Sequence, residues 1–114
     1  MEFAQTLDRR RSVRVYRHWV ADRRRIRAIL DAMLLAPSAG DLQSYRVVIV
    51  ENAKTMSALA DAAYGQRFIA QASIVFVFFA DPERSAAKYG QRGRVLFSLQ
   101  DATLAAAYAQ LSAA

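Results

Sequence analysis

The residues best suited to bind a charged ligand form a short run near the start of the chain, Arg10-Arg11-Ser12-Val13-Arg14. Guanidinium groups make planar, bidentate hydrogen bonds to phosphate and always carry charge, and a serine hydroxyl adds a neutral donor. An extended segment sends alternate side chains to one side, so Arg10, Ser12 and Arg14 can converge on one ligand while Arg11 points away. The run predicts a phosphate-binding arm. A basic segment that only faces solvent is the alternative.

A second candidate site is the loop at residues 36–46, which reads Ala-Pro-Ser-Ala-Gly-Asp-Leu-Gln-Ser-Tyr-Arg. Pro37 disfavours the α conformation at the residue before it, so a preceding helix should end there. Ser38, Gly40 and Asp41 are residues that turn the backbone or hydrogen-bond it locally. Such a loop between a helix and a buried strand can present backbone amides to a ligand. Loop chemistry alone leaves an ordinary helix-to-strand connection as the alternative.

Taken together, the two segments resemble the opening of the nitroreductase family. Its members carry R-R-S-x-R near the start and A-P-S-x-x-N-x-Q-P-W further along, where this chain has residues 10–14 and 36–45 in the same order. The resemblance continues through residues 63–72 and 89–94 and into Gln100-Asp101. It implies an α+β fold, a nitroreductase-like α/β/α sandwich with a central sheet. The whole of residues 1–114 would be one FMN-binding domain, shortened at the C-terminus relative to the family.

The resemblance also implies a function. It indicates an oxidoreductase that binds FMN and passes electrons from NADH or NADPH to a nitroaromatic, a quinone or a similar small acceptor. No catalytic acid or base of the protein is needed. Family members work as homodimers, in which the arm holds the phosphate, ribityl chain and ring edge of FMN, and the loop lies against the flavin held mainly by the other subunit. The implied cofactor contacts are Arg10, Arg11, Ser12, Arg14, Pro37, Ser38, Ala39, Gly40, Asp41, Gln43 and Gln66.

Two departures from the family pattern involve three residues. Asp41 replaces an asparagine, and an ionised carboxylate facing the ring would oppose the negative charge that gathers there on reduction. Ser44-Tyr45 replaces Pro-Trp, which keeps an aromatic residue but loses a rigid turn. Trp19 is expected to anchor the core or an interface rather than to stack on a substrate.

Composition limits the class of protein. The chain has 114 residues, 54% of them hydrophobic, which fits one domain with a modest core and excludes a mainly disordered chain. There is no cysteine and one histidine, His18, so thiolate ligands are excluded and we expect no metal centre. No apolar run reaches the ~20 residues that span a bilayer, and no secretory signal is recognisable. We therefore expect a soluble cytoplasmic protein.

The helices predicted around these segments follow from capping residues and apolar spacing. Residues 2–10 suit a short helix. Asp22 is a cap for a helix over about 23–35, and Asn52 is a cap for one that ends near residue 63. From about residue 85 a long alanine-rich pattern predicts a helix to the end of the chain, interrupted at Gly90 and Gly93.

Two strands are predicted between the helices, over about 46–51 and 73–80. The continuous β-branched residues of the first strand predict that it is covered on both faces. Strands separated by helices indicate a layered arrangement of helix and sheet. Two strands alone make a weak sheet, so further neighbours are expected.

Two other functions remain open from the sequence. One is a shortened, non-catalytic dimerisation domain without flavin, whose last helix packs through its alanines with Leu99, Leu104, Tyr108 and Leu111 as larger residues. The other is a basic nucleic-acid-binding module, since the net charge of +6 arises within the first 27 residues, where nine arginines face three acidic residues. No recognised reading helix or zinc spacing accompanies that charge.

Overall fold

The computed structural model describes residues 2–18 and 20–114, so the interpretation of Trp19 lies outside the described residues. Short 3-10 turns occupy Ala39–Asp41 and Arg67–Gln71, and a π-helical turn, Gly93–Phe97, joins the last two helices. The mixture of helix and strand confirms the expected fold class. In chain order, the elements are α1 (Phe3–Arg9), α2 (Arg23–Met33), β1 (Tyr45–Val50), α3 (Ala53–Ala62), β2 (Val75–Ala80), α4 (Pro82–Arg92) and α5 (Ser98–Ala113).

The helices begin where short polar side chains cap them. The carboxylate of Asp22 accepts a hydrogen bond from the Arg25 amide at 2.8 Å, and the side chain of Asn52 accepts one from Thr55 at 3.0 Å. Each bond satisfies an amide that the first turn of a helix leaves without a partner. Both predicted caps are confirmed. Asp81 caps α4 in the same way, with Pro82 at the first helical position.

The two strands pair antiparallel, with Tyr45 opposite Ala80 and Val50 opposite Val75. One face of this sheet packs on α5. On the other face the side chains of Val48 and Phe79 are 48% and 50% exposed. Among the described residues, the expectation that β1 is covered on both faces is therefore wrong for Arg46 and Val48, whereas Val50 on the same face is buried.

The core lies between α2, α5 and the inner face of the sheet. The buried face of α5 consists of small residues, Ala102, Ala105 and Ala109, which lets Met33 of α2 and Tyr45 of β1 approach the helix closely. The larger side chains of α5 point outward, so Leu99 is 59% exposed. Within the described residues, no helix is both long and apolar enough to cross a membrane.

The junction between α4 and α5 is irregular, as the glycines predicted. Gly90 has a φ of 58° and a ψ of −138°, which are not helical values and which a side chain would strain. Gly93 has ordinary helical angles, but a Cβ there would lie 2.6 Å from the carbonyl oxygen of Ser85. The first glycine is needed for its conformation, and the second is needed for close packing of the π-helical turn against α4.

Tyr45 gives a prediction about stability. Its hydroxyl is buried and, among the described residues, has no hydrogen-bond partner. Burial, and secondarily the charge of Asp101, raise the pKa of this phenol above 10.0, while Arg84 acts in the opposite direction. Because the native pKa is the higher one, the associated stability is complete below pH 10 and is lost as pH rises through the native pKa.

We therefore expect Tyr45→Phe to leave the free energy of unfolding at pH 7 unchanged or slightly higher, since the variant removes an unsatisfied buried group that costs about 1–3 kcal/mol. It should also reduce the loss of stability above pH 10. Urea unfolding at both pH values measures this, with the exposed Tyr64→Phe as the matched control. Equal alkaline sensitivity in the two variants would contradict the assignment.

Candidate functional site

One buried carboxylate holds both ends of the loop between α2 and β1. Asp101 lies in the first turn of α5 and is 2% exposed. Its two oxygens accept hydrogen bonds from the amides of Ala39 at 3.2 Å and Ser44 at 3.1 Å. The residues between these amides form a closed bend, which we call the Gly40 bend (residues 38–44). Its position is therefore fixed relative to α5.

The Gly40 bend is shaped by its own side chains. The Ser38 hydroxyl accepts a hydrogen bond from the Gln43 amide at 3.0 Å, and the Gln43 side chain donates to the carbonyl of Leu34 at 3.0 Å. Gly40, Asp41 and Gln43 all have positive φ angles, 63°, 55° and 51°. Ser38 and Gln43 thus bind the protein itself, whereas Asp41 is exposed. The polar groups of the bend that a ligand could contact are therefore the Asp41 carboxylate and the backbone of the bend.

Helix α4 closes over the Gly40 bend. A Cβ built on Gly40 would lie 2.6 Å from the Tyr89 hydroxyl and 3.0 Å from the Lys88 amine. Tyr89 is held in place because its ring packs edge-on against Phe97, with the ring centroids 5.1 Å apart. A side chain at Gly40 would be strained by the positive φ angle, and the ends of Tyr89 and Lys88 would have to move to make room for it.

The N-terminal arm, residues 10–17, is not a regular extended segment. The Val13 amide donates to the Arg11 carbonyl at 3.0 Å, which makes a tight turn in the middle of the run. Arg11 reaches back to α1 and pairs with the Asp8 carboxylate at 3.6 Å. Within the described residues, the side chains of Arg10 and Ser12 have no hydrogen-bond partner, so they are available to a ligand.

The structure brings the arm together with the segment that contains Gln66. The Arg14 guanidinium lies 6.0 Å from the centre of the Phe68 ring, and Tyr16 contacts the same ring at a centroid distance of 6.4 Å. Gln66 precedes this turn, is exposed, and donates through its side chain to the carbonyl of Ala63 at 2.9 Å. Beside the arm, a cavity of about 810 Å³ is bordered by Arg9, Arg17, Ile74 and the end of α5.

The arm and the Gly40 bend lie at opposite ends of α5 within one chain. The bend is tied to Asp101 in the first turn, and the cavity beside the arm is lined by residues 112–114 at the last turn. Twelve residues at 1.5 Å each separate these turns by about 18 Å along the helix. A group the size of one phosphate therefore cannot contact both the Gly40 bend and this cavity in one copy.

Comparison with known proteins identifies the family. The nitroreductase family model matches residues 7–81, which include the arm and the Gly40 bend. That match spans more than half of the chain. The chain therefore belongs to the nitroreductase family.

Individual relatives agree with this assignment. An NADH dehydrogenase from Thermus thermophilus is 43% identical over 79 residues, which are 69% of this chain and 38% of that protein. The fold matches an FMN-dependent nitroreductase from Clostridium difficile with a TM-score of 0.79 at 29% identity, covering 95% of this chain and 58% of the other. It also matches the NADPH:FMN oxidoreductase of Vibrio harveyi with a TM-score of 0.85 at 24% identity, covering 97% and 50%. The chain spans about half the length of these relatives.

Three residues of this region were not assigned a role from the sequence. The role of Asp101 could have been predicted, because it is the acidic residue on a face of α5 that otherwise consists of alanine and serine. A carboxylate buried there needs hydrogen-bond donors. The sequence gives no indication of the positions of Lys88 and Tyr89, since only the packing of α4 against the Gly40 bend brings them to the loop.

Replacing Asp101 tests the anchor of the loop. Asp101→Asn keeps the size of the side chain but retains one good acceptor, so one of the two amides loses its partner. We expect the free energy of unfolding to fall by about 1–3 kcal/mol. Thermal and urea unfolding measure this, and amide hydrogen exchange at Ala39 and Ser44 locates it. Asp61→Asn, which changes an exposed carboxylate, is the control. Unchanged exchange at both amides would contradict the proposed anchoring.

Gly40 allows a matched comparison. Gly40→Ala and Gly65→Ala both place a side chain at a positive φ, 63° and 72°, but only at Gly40 would the new Cβ meet other atoms. Backbone strain of about 1–2 kcal/mol is common to both, so a larger loss of stability in Gly40→Ala measures the contact with Tyr89. Adding Tyr89→Phe should recover part of that excess. Equal losses in the two alanine variants would show that α4 does not press on the bend.

Proposed function

We propose that this chain is the FMN-binding part of an oxidoreductase that passes electrons from NADH or NADPH to a nitroaromatic, a quinone or a similar small acceptor. The observation that carries the proposal is the family match over residues 7–81, which contains both candidate segments. Relatives named as an NADH dehydrogenase and as an FMN-dependent nitroreductase support the same class of reaction.

The residues of the arm fit the phosphate end of FMN. Arg10 and Ser12 offer donors that no described residue uses, and Arg14 is steadied by Phe68. Arg11 would contribute less, because Asp8 already neutralises it. Gln66 is exposed beside the turn that contacts Arg14, and it would have to exchange its hydrogen bond to the Ala63 carbonyl for one to a ligand held by the arm.

The Gly40 bend fits the flat ring system. Pro37, Ser38, Ala39 and Gly40 present short side chains and backbone, and the buried Asp101 holds that surface rigid. Gln43 would act by holding the bend, since its side chain already binds Leu34. Asp41 would place a negative charge near the ring, which disfavours reduction of the flavin.

A homodimer is part of this proposal. The Gly40 bend and the cavity beside the arm lie about 18 Å apart along α5, and in a homodimer the arm of one copy would meet the bend of its partner. The exposed side chains of Leu99, Leu104 and Tyr108 on α5 offer an apolar surface for that contact. When bound, FMN supplies the hydride-accepting chemistry, and the chain binds, orients and tunes it. Alternating use of one pocket by donor and acceptor would give ping-pong kinetics.

FMN binding to the purified protein tests the proposal. We expect flavin absorption after reconstitution, a particle mass of two chains, and an FMN affinity that Arg10→Gln weakens about tenfold, since one charge-assisted hydrogen bond is lost. Arg24→Gln, on the exposed face of α2, should have no effect. A dimer that cannot be reconstituted with FMN would support the non-catalytic dimerisation domain instead.

A further inference from the structure

Two cations of α4 border the Gly40 bend. The Lys88 amine lies 3.0 Å from the position that a Gly40 Cβ would take, and its Cδ lies 3.3 Å away. Arg84 is four residues earlier on α4, so it shares the same helix face at about 6 Å along the axis. Its charge acts on the phenol of Tyr45, which follows the bend. Lys88 therefore borders the bend at Gly40, and Arg84 lies one turn earlier on the same face of α4.

Among the described residues, the fold leaves these two cations without a carboxylate while it pairs their neighbours, and the Lys88 amine lies 5.5 Å from the centre of the Tyr89 ring. Arg94 pairs with Glu83, and Arg46 pairs with Asp81 at 3.4 Å. Within the described residues, the side chains of Arg84 and Lys88 have neither a carboxylate nor another hydrogen-bond partner, and both are exposed. The acidic residues of the first turn of α4 are thus engaged elsewhere, and the middle of the helix has a net positive charge.

We propose that Arg84 and Lys88 form a diphosphate-binding site that receives the pyridine nucleotide donor beside the Gly40 bend. Two cations about 6 Å apart on one helix face can each contact one phosphate of a diphosphate. The Tyr89 hydroxyl, at 2.6 Å from the Gly40 Cβ position, adds a neutral donor at the same edge. This inference rests on the proposed function, because it assigns the donor of that reaction to α4.

Asp41 opposes the site. Its carboxylate is exposed in the bend next to Gly40, and a negative charge there repels a diphosphate. Asp41→Asn should therefore tighten binding, whereas loss of either cation should weaken it. Diphosphate affinity that rises in one variant and falls in the others would show that the site responds to charge, because general destabilisation would lower the affinity in all of them.

Calorimetric titration with ADP-ribose tests the site without requiring turnover. We expect Lys88→Gln and Arg84→Gln each to weaken ADP-ribose binding about fivefold, as for an exposed ion pair, and Asp41→Asn to strengthen it about twofold. Lys54→Gln, an exposed lysine on α3, is the matched control and should bind as the unmodified chain does. Lys88→Arg should restore most of the affinity. AMP, with one phosphate, should lose less affinity than ADP-ribose in the double variant.

Two results would overturn the inference. One is equal ADP-ribose affinity in Lys88→Gln, Arg84→Gln and Lys54→Gln. The other is an equal loss for AMP and ADP-ribose, which would show that the cations read a single phosphate. FMN titration of the same variants separates the two proposals. If the chain binds FMN but ADP-ribose affinity does not depend on Arg84 and Lys88, only the α4 site is refuted. If ADP-ribose affinity depends on these two residues but the chain does not bind FMN, only the flavin function is refuted.

Discussion

The hydrogen bonds between the Asp101 carboxylate and the amides of Ala39 and Ser44 determine the arrangement of the candidate site. A carboxylate that is 2% exposed is costly to bury unless donors surround it. The two amides meet that need, and in return they are fixed to the first turn of α5. The loop is therefore placed by a helix that lies far along the sequence, and its conformation is set before any ligand arrives.

The small residues of α5 make that placement possible. Because Ala102, Ala105 and Ala109 form its buried face, α2 and the sheet can pack close on both sides of the helix. The same choice places the larger Leu99 and Tyr108 on the exposed side of α5. The described residues thus have a well-packed centre, while Leu99, Val48 and Phe79 remain about half exposed.

The polar groups of the site divide into those that shape it and those that can bind. Ser38 and Gln43 form hydrogen bonds within the protein, and Arg11 pairs with Asp8. Arg10 and Ser12 of the arm, with Arg84 and Lys88 of α4, remain free among the described residues. The two binding regions that we propose are therefore both cationic, and the Gly40 bend is the rigid surface beside the one on α4.

The sequence by itself determined the elements and the family. Capping by Asp22 and Asn52, the break at Gly90 and the two motifs are local features, and local features depend on residues near one another in the chain. Only the tertiary structure decided that Asp101 anchors the loop, that Lys88 and Tyr89 lie against Gly40, and that part of one face of β1 is exposed. These contacts join residues as much as 62 positions apart. No local pattern specifies which distant surfaces meet, because that choice depends on how the whole chain buries its apolar area.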